Sequence, residues 1–169
     1  MNKNHFNSKE LLKNLDIRVH PEEPYKPISV VIENNQYIEN ILLIVYQTTK
    51  TIELFEFYKK PKASQGAARC ALLYLLKKLN RTYKITRDYI IYIPAASPPL
   101  DQNENETDKS YIKKKNKLIK MYMDIGFNYD TTQTPSLQST LGHIINTLET
   151  QCHDTNERLA YIEDFRNGG

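Results

Sequence analysis

The residues best placed to do chemistry lie between an apolar strand and a leucine-rich helix, within Ile52–Asn80. The connecting loop carries three cations, Lys59, Lys60 and Lys62. Small residues follow where the helix begins, namely Ala63, Ser64, Gly66, Ala67 and Ala68. A helix N-terminus exposes unpaired N–H groups and the positive end of its dipole, and small side chains let a pyrophosphate approach that backbone. The segment predicts an anion site, and the alternative is an ordinary strand-to-helix turn with surface lysines.

Three apolar, β-branched segments lead up to this turn: Ile28–Glu33, Ile38–Gln47 and Thr51–Tyr58. The turns between them are too short for crossover connections, which predicts that the three are antiparallel neighbours. Because side chains alternate along a strand, Glu53 and Glu56 of the third segment are predicted to lie on opposite faces.

The anion-site turn leads into a second strand through a helix. Leucines recur at helical spacing in Ala67–Asn80, and Asp88–Pro94 reads as an internal strand. A strand, a helix and a strand in this order predict a βαβ unit with parallel strands. Tyr111–Asp124 is predicted as a second helix that ends at Gly126 in a left-handed C-cap, and Phe127–Tyr129 as the start of a last strand.

The chain beyond this unit reads as helical. Apolar residues in Ser136–Phe165 form two stripes, which predict a long amphipathic helix or a helix pair. The first stripe approximates a heptad seam, made of Leu137, Leu141, Ile144 and Leu148. This stripe either completes the core or pairs with a second subunit as a homodimer.

These elements together predict an α+β fold, with a mixed β-sheet in which an antiparallel meander is followed by a βαβ unit, plus a C-terminal helix. Three segments are expected: an N-terminal helix with a proline-rich lead-in at 1–27, a core at 28–130 and a C-terminal helical extension at 131–169.

Composition limits the classes of function. The chain has 169 residues and a net charge of +3, which suits one globular domain and is too weak to imply a nucleic-acid partner by itself. No apolar run could span a membrane, and the first residues lack the core of a secretory signal. Cys70 and Cys152 have no metal-ligand spacing, so no metal is expected, and reduced thiols are favoured over a disulfide between them. The expected location is cytoplasmic.

The sequence around these elements resembles the GNAT superfamily of acetyl-CoA-dependent N-acetyltransferases. That family carries Gln/Arg-x-x-Gly-x-Gly/Ala between a strand and a leucine-rich helix, and Gly66-Ala67-Ala68 matches its second half. The family's later helix ends in Tyr-x-x-x-Gly-Phe, which matches Tyr122 with Gly126-Phe127. The resemblance covers roughly 51–129. The bias toward Lys, Asn, Ile and Tyr suggests an AT-rich genome such as that of a parasite or a large DNA virus, so the cytoplasm of a host is the expected location for a viral member.

The resemblance implies that acetyl-CoA is the cosubstrate. Backbone groups of Phe57 and Tyr58 would face its pantetheine arm. Its pyrophosphate would be held by the residues from Gln65 to Arg69, namely Gln65, Gly66, Ala67, Ala68 and Arg69. Tyr122 would protonate the departing thiolate, since a phenol with a pKa near 10 can donate to a thiolate given a favourable site. The general base would be Glu56, with Glu53 as the second choice, and a core role for Tyr122 stays open.

The resemblance implies acetyl transfer to an amine, on a small molecule or on a protein. The acidic segment Ala95–Ser110 could attract a cationic acceptor if it lies over the cleft. Two other functions remain open. The family's helices between its first two strands have no room before Ile52, which favours an inactive module used for interactions. The lysine-rich helix, which carries Lys113, Lys114, Lys115, Lys117 and Lys120, could instead grip nucleic-acid phosphates.

Overall fold

The computed structural model describes residues 3–96 and 108–156, apart from the side chains of Gln65 and Asp108. In chain order its elements are β1 (Asn4–Phe6), α1 (Ser8–Leu11), β2 (Leu15–Arg18), β3 (Ile28–Glu33), β4 (Ile38–Tyr46), β5 (Thr51–Lys59), α2 (Gln65–Thr82), β6 (Ile90–Ile93), α3 (Asp108–Asp124), β7 (Asn128–Tyr129), β8 (Leu137–Thr140), α4 (Leu141–Glu149) and β9 (Cys152–Asp154). The predicted mixture of helices and a mixed sheet is confirmed.

A seven-stranded sheet in the order β2-β3-β4-β5-β6-β8-β7 forms the centre of the molecule. The predicted antiparallel meander is confirmed in β3, β4 and β5, and β2 adds a fourth antiparallel strand that the sequence did not predict. Alternate residues of β3, Ile28, Val30 and Ile32, are buried. One face of the meander therefore forms part of the core, as period-two patterning requires.

The predicted βαβ unit is confirmed as β5, α2 and β6, with β5 and β6 parallel. The leucines of α2 are almost completely buried, namely Leu72, Leu73, Leu75, Leu76 and Leu79. Truncating one of them to alanine is expected to cost about 2–5 kcal/mol, so the packing of α2 contributes strongly to stability. In the described residues β6 pairs with β5 only along Thr51–Glu53, and β5 continues to Lys59 beyond that pairing.

A β-bulge in β5 overturns the predicted placement of the two glutamates. Leu43 pairs with Leu54 but the adjacent Leu42 pairs with Glu56, so Phe55 is an extra residue on β5. Phe55 is accordingly 53% exposed. An extra residue shifts the alternation of side chains by one position.

Glu53 and Glu56 therefore share one face of β5 instead of lying on opposite faces. Glu53 pairs with Ile44 and Glu56 with Leu42, two residues apart on β4. The bulge also moves Phe57 onto the buried face, where its side chain is 7% exposed.

The C-terminal helix is shorter than predicted. Leu137–Thr140 is strand β8, which lies between β6 and β7 in the central sheet. The helix begins only at Leu141, where the hydroxyl of Thr140 accepts a hydrogen bond from the His143 amide. The predicted second stripe lies outside the described residues, as does most of the acidic segment 95–110.

The predicted heptad seam is not available to a second subunit. Its four residues, Leu137, Leu141, Ile144 and Leu148, are each no more than 2% exposed. The helix α4 packs against α2 within the chain. The stripe therefore completes the core, which is the other of the two predicted outcomes.

The two ends of the described chain meet in a parallel two-stranded ribbon, β1 with β9. Cys70 of α2 and Cys152 of β9 form a disulfide, with their Cα atoms 5.6 Å apart. The expectation of two reduced thiols is wrong for this structure. The sequence could not decide the matter because the two cysteines are 82 residues apart.

A Schellman motif ends α3, as the predicted left-handed C-cap at Gly126 requires. Gly126 has φ +113°, and its amide donates to the Met123 carbonyl at 3.0 Å. The amide of Phe127 donates to the Tyr122 carbonyl at 3.0 Å. The Tyr-x-x-x-Gly-Phe pattern thus has a structural explanation of its own.

Candidate functional site

A cleft of about 440 Å³ opens where β5 extends past β6, between β5, the first turns of α2 and the last turns of α3. Its lining residues are Phe57, Lys59, Ala68, Arg69, Lys117, Lys120, Met121 and Asp124. Four of these side chains are cationic and one is acidic. The lining is therefore mainly cationic and lies next to a helix N-terminus, an arrangement that favours an anionic ligand.

Neutral acceptors hold two of the four cations in place. Lys59 donates from its Nζ to the Ala63 carbonyl at 3.1 Å, and Arg69 donates from Nη1 to Oε1 of Gln151 at 3.2 Å. Neither contact neutralises the positive charge. Both side chains are therefore oriented toward the cleft wall while their charge stays available to a ligand.

The other two cations come from α3. Lys117 and Lys120 are exposed and make no ion pair within the residues that the structure describes. Their spacing of three residues places them on neighbouring positions of one helix face. From the sequence, these lysines were predicted only as part of a helix that could grip nucleic-acid phosphates, and not as part of the cleft.

The start of α2 is partly open and partly covered. Ser64 occupies the N-cap position, but its side chain makes no capping hydrogen bond in the described structure. On another side, the Asn4 side chain lies so close to Gly66 that a Cβ there would be 2.4–2.7 Å from its atoms. Only a glycine fits under Asn4 without a shift. The amide of Ala67 already donates to the Ser64 carbonyl at 3.1 Å.

Gln151 connects the elements around the cleft. Its side chain accepts from Arg69 and donates to the Asp124 carbonyl at 2.9 Å. Its own carbonyl accepts from the Asn4 amide at 3.0 Å. The next residue is Cys152, so the disulfide to Cys70 fixes this connecting residue against α2.

Tyr122 lies beneath the cleft and does not line it. Its side chain is 6% exposed and packs between Phe57 and Phe127, at ring-centroid distances of 6.3 and 5.7 Å. Burial, with a smaller effect from the charge of nearby Tyr58, raises the pKa of its phenol far above the usual 10. The group therefore stays protonated at any physiological pH.

Glu53 and Glu56 lie on the sheet face opposite to the buried Phe57. Glu56 accepts a hydrogen bond from the side-chain amide of Asn40, and Glu53 accepts one from the Tyr46 hydroxyl at 3.1 Å. Glu53 pairs with Tyr92 at the last position where β5 and β6 are joined.

The Glu53 carboxylate affects both neighbouring phenols. Burial, the hydrogen bond to Glu53 and its charge raise the pKa of Tyr46. Burial and the charge of Glu53 raise the pKa of Tyr92. Neither tyrosine could be singled out from the sequence, because only the pairing of β4, β5 and β6 brings them beside Glu53.

The structure brings some of the predicted site residues together and separates others. The cleft is lined by three of them, Phe57, Ala68 and Arg69. Two others, Gly66 and Ala67, are buried. Tyr58 is half-buried near Tyr122. Gln65 begins α2, and its side chain lies outside the described part.

Within 3–96 and 108–156 no three His, Cys, Asp or Glu side chains are grouped as metal ligands. In the same residues no helix is both long enough and apolar enough to cross a bilayer.

No protein-family model, curated protein or solved structure matches this chain. The fold class and the site therefore define it as a mixed α+β protein with a cationic cleft beside a βαβ unit.

Proposed function

We propose that this protein binds acetyl-CoA in the cationic cleft and transfers the acetyl group to an amine, as a divergent member of the GNAT superfamily. The observation that carries the proposal is the cleft itself, which lies where β5 runs past β6 and which is lined by four cations. An antiparallel meander that leads into a βαβ unit, and the glycine at the start of α2, add support.

The donor set fits a phosphate-rich thioester carrier. Lys59 and Arg69 are held toward the cleft by neutral partners, and Ala68 lets a ligand approach the backbone of α2. A diphosphate at this position would also gain from the positive end of the α2 dipole. Gly66 lies under Asn4, so the phosphate contact is assigned to the Arg69 side chain rather than to Gly66.

The reaction would need no covalent enzyme intermediate. The amine nitrogen attacks the thioester carbonyl, the C–S bond breaks, and the thiolate leaves. Glu56 would take the proton from the amine through water, with Glu53 as the alternative base; because both lie on the sheet face opposite to Phe57, the acceptor amine would have to approach from that face. The departing thiolate would receive a proton from Tyr122, but burial raises the pKa of this phenol and makes it a weaker acid than an ordinary tyrosine, so the transfer is uphill and counts against this role.

A second function is favoured by one observation. Tyr122 is buried between two aromatic rings, and its sequence motif is explained by the cap that ends α3. A protein with this arrangement could bind the carrier without catalysing transfer and serve as an interaction module. The two functions differ in turnover, not in carrier binding.

Binding is the first test. Acetyl-CoA at a hundredfold excess over its Kd should stabilise the protein by about 2.7 kcal/mol, measured as a thermal or denaturant shift. Arg69→Gln should weaken that shift, whereas Arg81→Gln, an exposed arginine near the end of the same helix, should leave it intact. If neither acetyl-CoA nor CoA produces a shift, both the transferase and the carrier-binding module are excluded.

Turnover is the second test. Release of free CoA thiol is measured with a panel of small amines and lysine peptides. Tyr122→Phe should slow release while leaving the Kd for acetyl-CoA nearly unchanged, and Glu56→Gln should do the same. Carrier binding without turnover by the unsubstituted protein would select the interaction module, and unchanged turnover in Tyr122→Phe would remove that residue from the mechanism.

A further inference from the structure

A separate cavity of about 250 Å³ lies toward the C-terminal end of α2, where that helix packs against α1 and β9. It shares no lining residue with the cationic cleft. Pockets for drug-sized molecules enclose roughly 300–1,000 Å³, so this smaller cavity suits a small metabolite. Its polar lining residues are Ser8, Tyr74, Lys78, Arg81, Thr82 and Asp154.

Asp154 brings a buried carboxylate to the wall of this cavity. The residue is only 6% exposed, and aspartates that deeply buried normally have a partner of opposite charge. Its Oδ1 accepts hydrogen bonds from two backbone amides, that of Asn156 at 2.8 Å and that of Ser8 at 3.4 Å. Within residues 3–96 and 108–156, its Oδ2 accepts no hydrogen bond and the carboxylate forms no ion pair. One oxygen of a buried carboxylate is therefore left for a cationic group in the cavity.

Lys78 and Arg81 bring positive charge to the same cavity. Both side chains are exposed, and neither forms an ion pair in the part of the chain that the structure describes. They are three residues apart on α2, so their Cβ atoms are about 5–6 Å apart on one helix face. Opposite charges thus line one cavity without neutralising each other. A ligand that carries both signs of charge would give each of these three side chains a partner.

The balance of these charges selects one class among small zwitterions. Two cations and one carboxylate leave the cavity with a net positive charge. A monoamino dicarboxylic acid, such as aspartate, carries one ammonium and two carboxylates and therefore has the complementary charge. The ammonium can donate to the free oxygen of Asp154, and each cation can meet one carboxylate. Arg81 adds geometric selectivity, because a guanidinium binds a carboxylate through two parallel hydrogen bonds.

We infer that this cavity binds a free monoamino dicarboxylic acid, with Asp154 holding the ammonium and with Lys78 and Arg81 holding the carboxylates. The inference does not depend on the proposed acetyl transfer, because the cavity and the cleft lie along different turns of α2. An amino acid bound here is a ligand of the cavity and not the amine acceptor of the cleft.

The first test compares ligands on the unsubstituted full chain, so it does not depend on the folding of any variant. Binding of L-aspartate, succinate and β-alanine is measured by calorimetry. Succinate lacks the ammonium and β-alanine lacks one carboxylate, so each should bind about tenfold more weakly than L-aspartate. Absence of L-aspartate binding, or succinate that binds as tightly as L-aspartate, would overturn the inference.

The second test asks whether Asp154 recognises the ammonium. Asp154→Asn keeps an oxygen that can accept from the Ser8 and Asn156 amides, so the local fold should be retained. The variant should lose most of the preference for L-aspartate over succinate, because a neutral amide no longer favours a cation. A purely structural role would weaken both ligands equally, so an unchanged preference in Asp154→Asn would contradict the assignment.

The third test concerns the two cations. Lys78→Gln and Arg81→Gln should each weaken L-aspartate about threefold, as expected for exposed charge pairs. The matched control is Lys84→Gln, at an exposed lysine two residues beyond the end of α2 that does not line the cavity, and it should leave the affinity unchanged. An equal loss in Lys84→Gln, or inorganic phosphate that binds as tightly as L-aspartate, would mean that this end of α2 attracts anions in general and would reject the amino-acid site.

Discussion

Tyr122 combines a buried position with an ionisable group. Its phenol lies between Phe57 and Phe127 with 6% of the side chain exposed. Burial disfavours the phenolate, which is why the pKa in the folded protein is raised while that of the unfolded chain stays near 10. The folded state thus holds a proton that the unfolded state releases in alkaline solution.

Stability should therefore fall at high pH through this residue. A raised folded pKa leaves the unfolding free energy unaffected below about pH 10 and lowers it as pH rises further, by up to about 1.4 kcal/mol per pH unit. Between pH 10 and 11 the unsubstituted protein should lose about 1 kcal/mol relative to Tyr122→Phe, measured by urea unfolding. Tyr25→Phe, at a tyrosine that is 70% exposed, should follow the unsubstituted protein, and parallel curves for all three proteins would contradict the burial of Tyr122.

At the residue scale, the direction of the side chains in β5 could not be predicted from the sequence. Simple alternation separates Glu53 from Glu56, but the extra residue Phe55 returns both to one face. A bulge depends on how two strands pair, and the sequence of β5 alone carries no mark of it. The position of Arg69 at the cleft was predictable. The leucines identify α2 from the sequence, and Arg69 lies in the first turns of that helix.

At the scale of elements, the contact between β1 and α2 controls access to the helix start. The Asn4 side chain lies over Gly66 where any Cβ would meet it. An alanine at position 66 would favour the helix by up to about 1 kcal/mol if it could fit. Whether Gly66→Ala raises or lowers the free energy of unfolding therefore depends on the Asn4 side chain.

A double-mutant cycle should show this dependence. Gly66→Ala alone should be neutral or destabilising, because Asn4 must move away and β1 loosens. In the Asn4→Ala background the same change should stabilise the protein by about 0.5–1 kcal/mol. Urea unfolding of the four proteins measures the coupling, and additive effects would mean that Asn4 does not cover the helix start in solution.

The disulfide fixes the ribbon of β1 and β9 to α2. It closes a loop of 82 residues, and a cross-link of that span contributes up to about 4.5 kcal/mol by restricting the unfolded chain. Reduction should lower the unfolding free energy by up to that amount and weaken the proposed binding of acetyl-CoA, since Gln151 next to Cys152 holds Arg69.

The paired variant Cys70→Ala and Cys152→Ala should match the reduced protein and be insensitive to reductant. No difference between oxidised and reduced protein would contradict a structural role for the bridge. Persistent disulfides are typical of oxidising compartments, so the oxidation state measured in freshly lysed cells also tests the predicted cytoplasmic location.

Elements with strong periodicity were predictable and short elements were not. The leucines of α2 and the β-branched runs of β3, β4 and β5 identify those elements from the sequence alone. In contrast, β8 was predicted as helix because Leu137 and Leu141 have helical spacing although a strand ends between them. The three-residue strands β1 and β9 form only because distant parts of the chain meet.

At the scale of the whole molecule, the cleft is more positively charged than the net charge of the chain suggests. The net charge is only +3, yet four cations and one acid line the cleft and further lysines follow along α3. Net charge could not predict this, because the clustering arises when α3 is placed beside α2 and β5. A local concentration of one sign attracts anionic ligands more strongly than the net charge indicates.

The proposed affinity for CoA should therefore depend on salt. Ions at 0.1 M screen exposed charges over about 10 Å, and at 1 M over about 3 Å. The Kd for CoA should rise severalfold between 0.05 and 0.5 M sodium chloride, measured by calorimetry. Pantetheine, which lacks phosphate, should show little change in the same series and serves as the control for general salt effects on the fold. A flat dependence for CoA would mean that the cleft cations do not contact its phosphates, and the site would then have to be sought away from the start of α2.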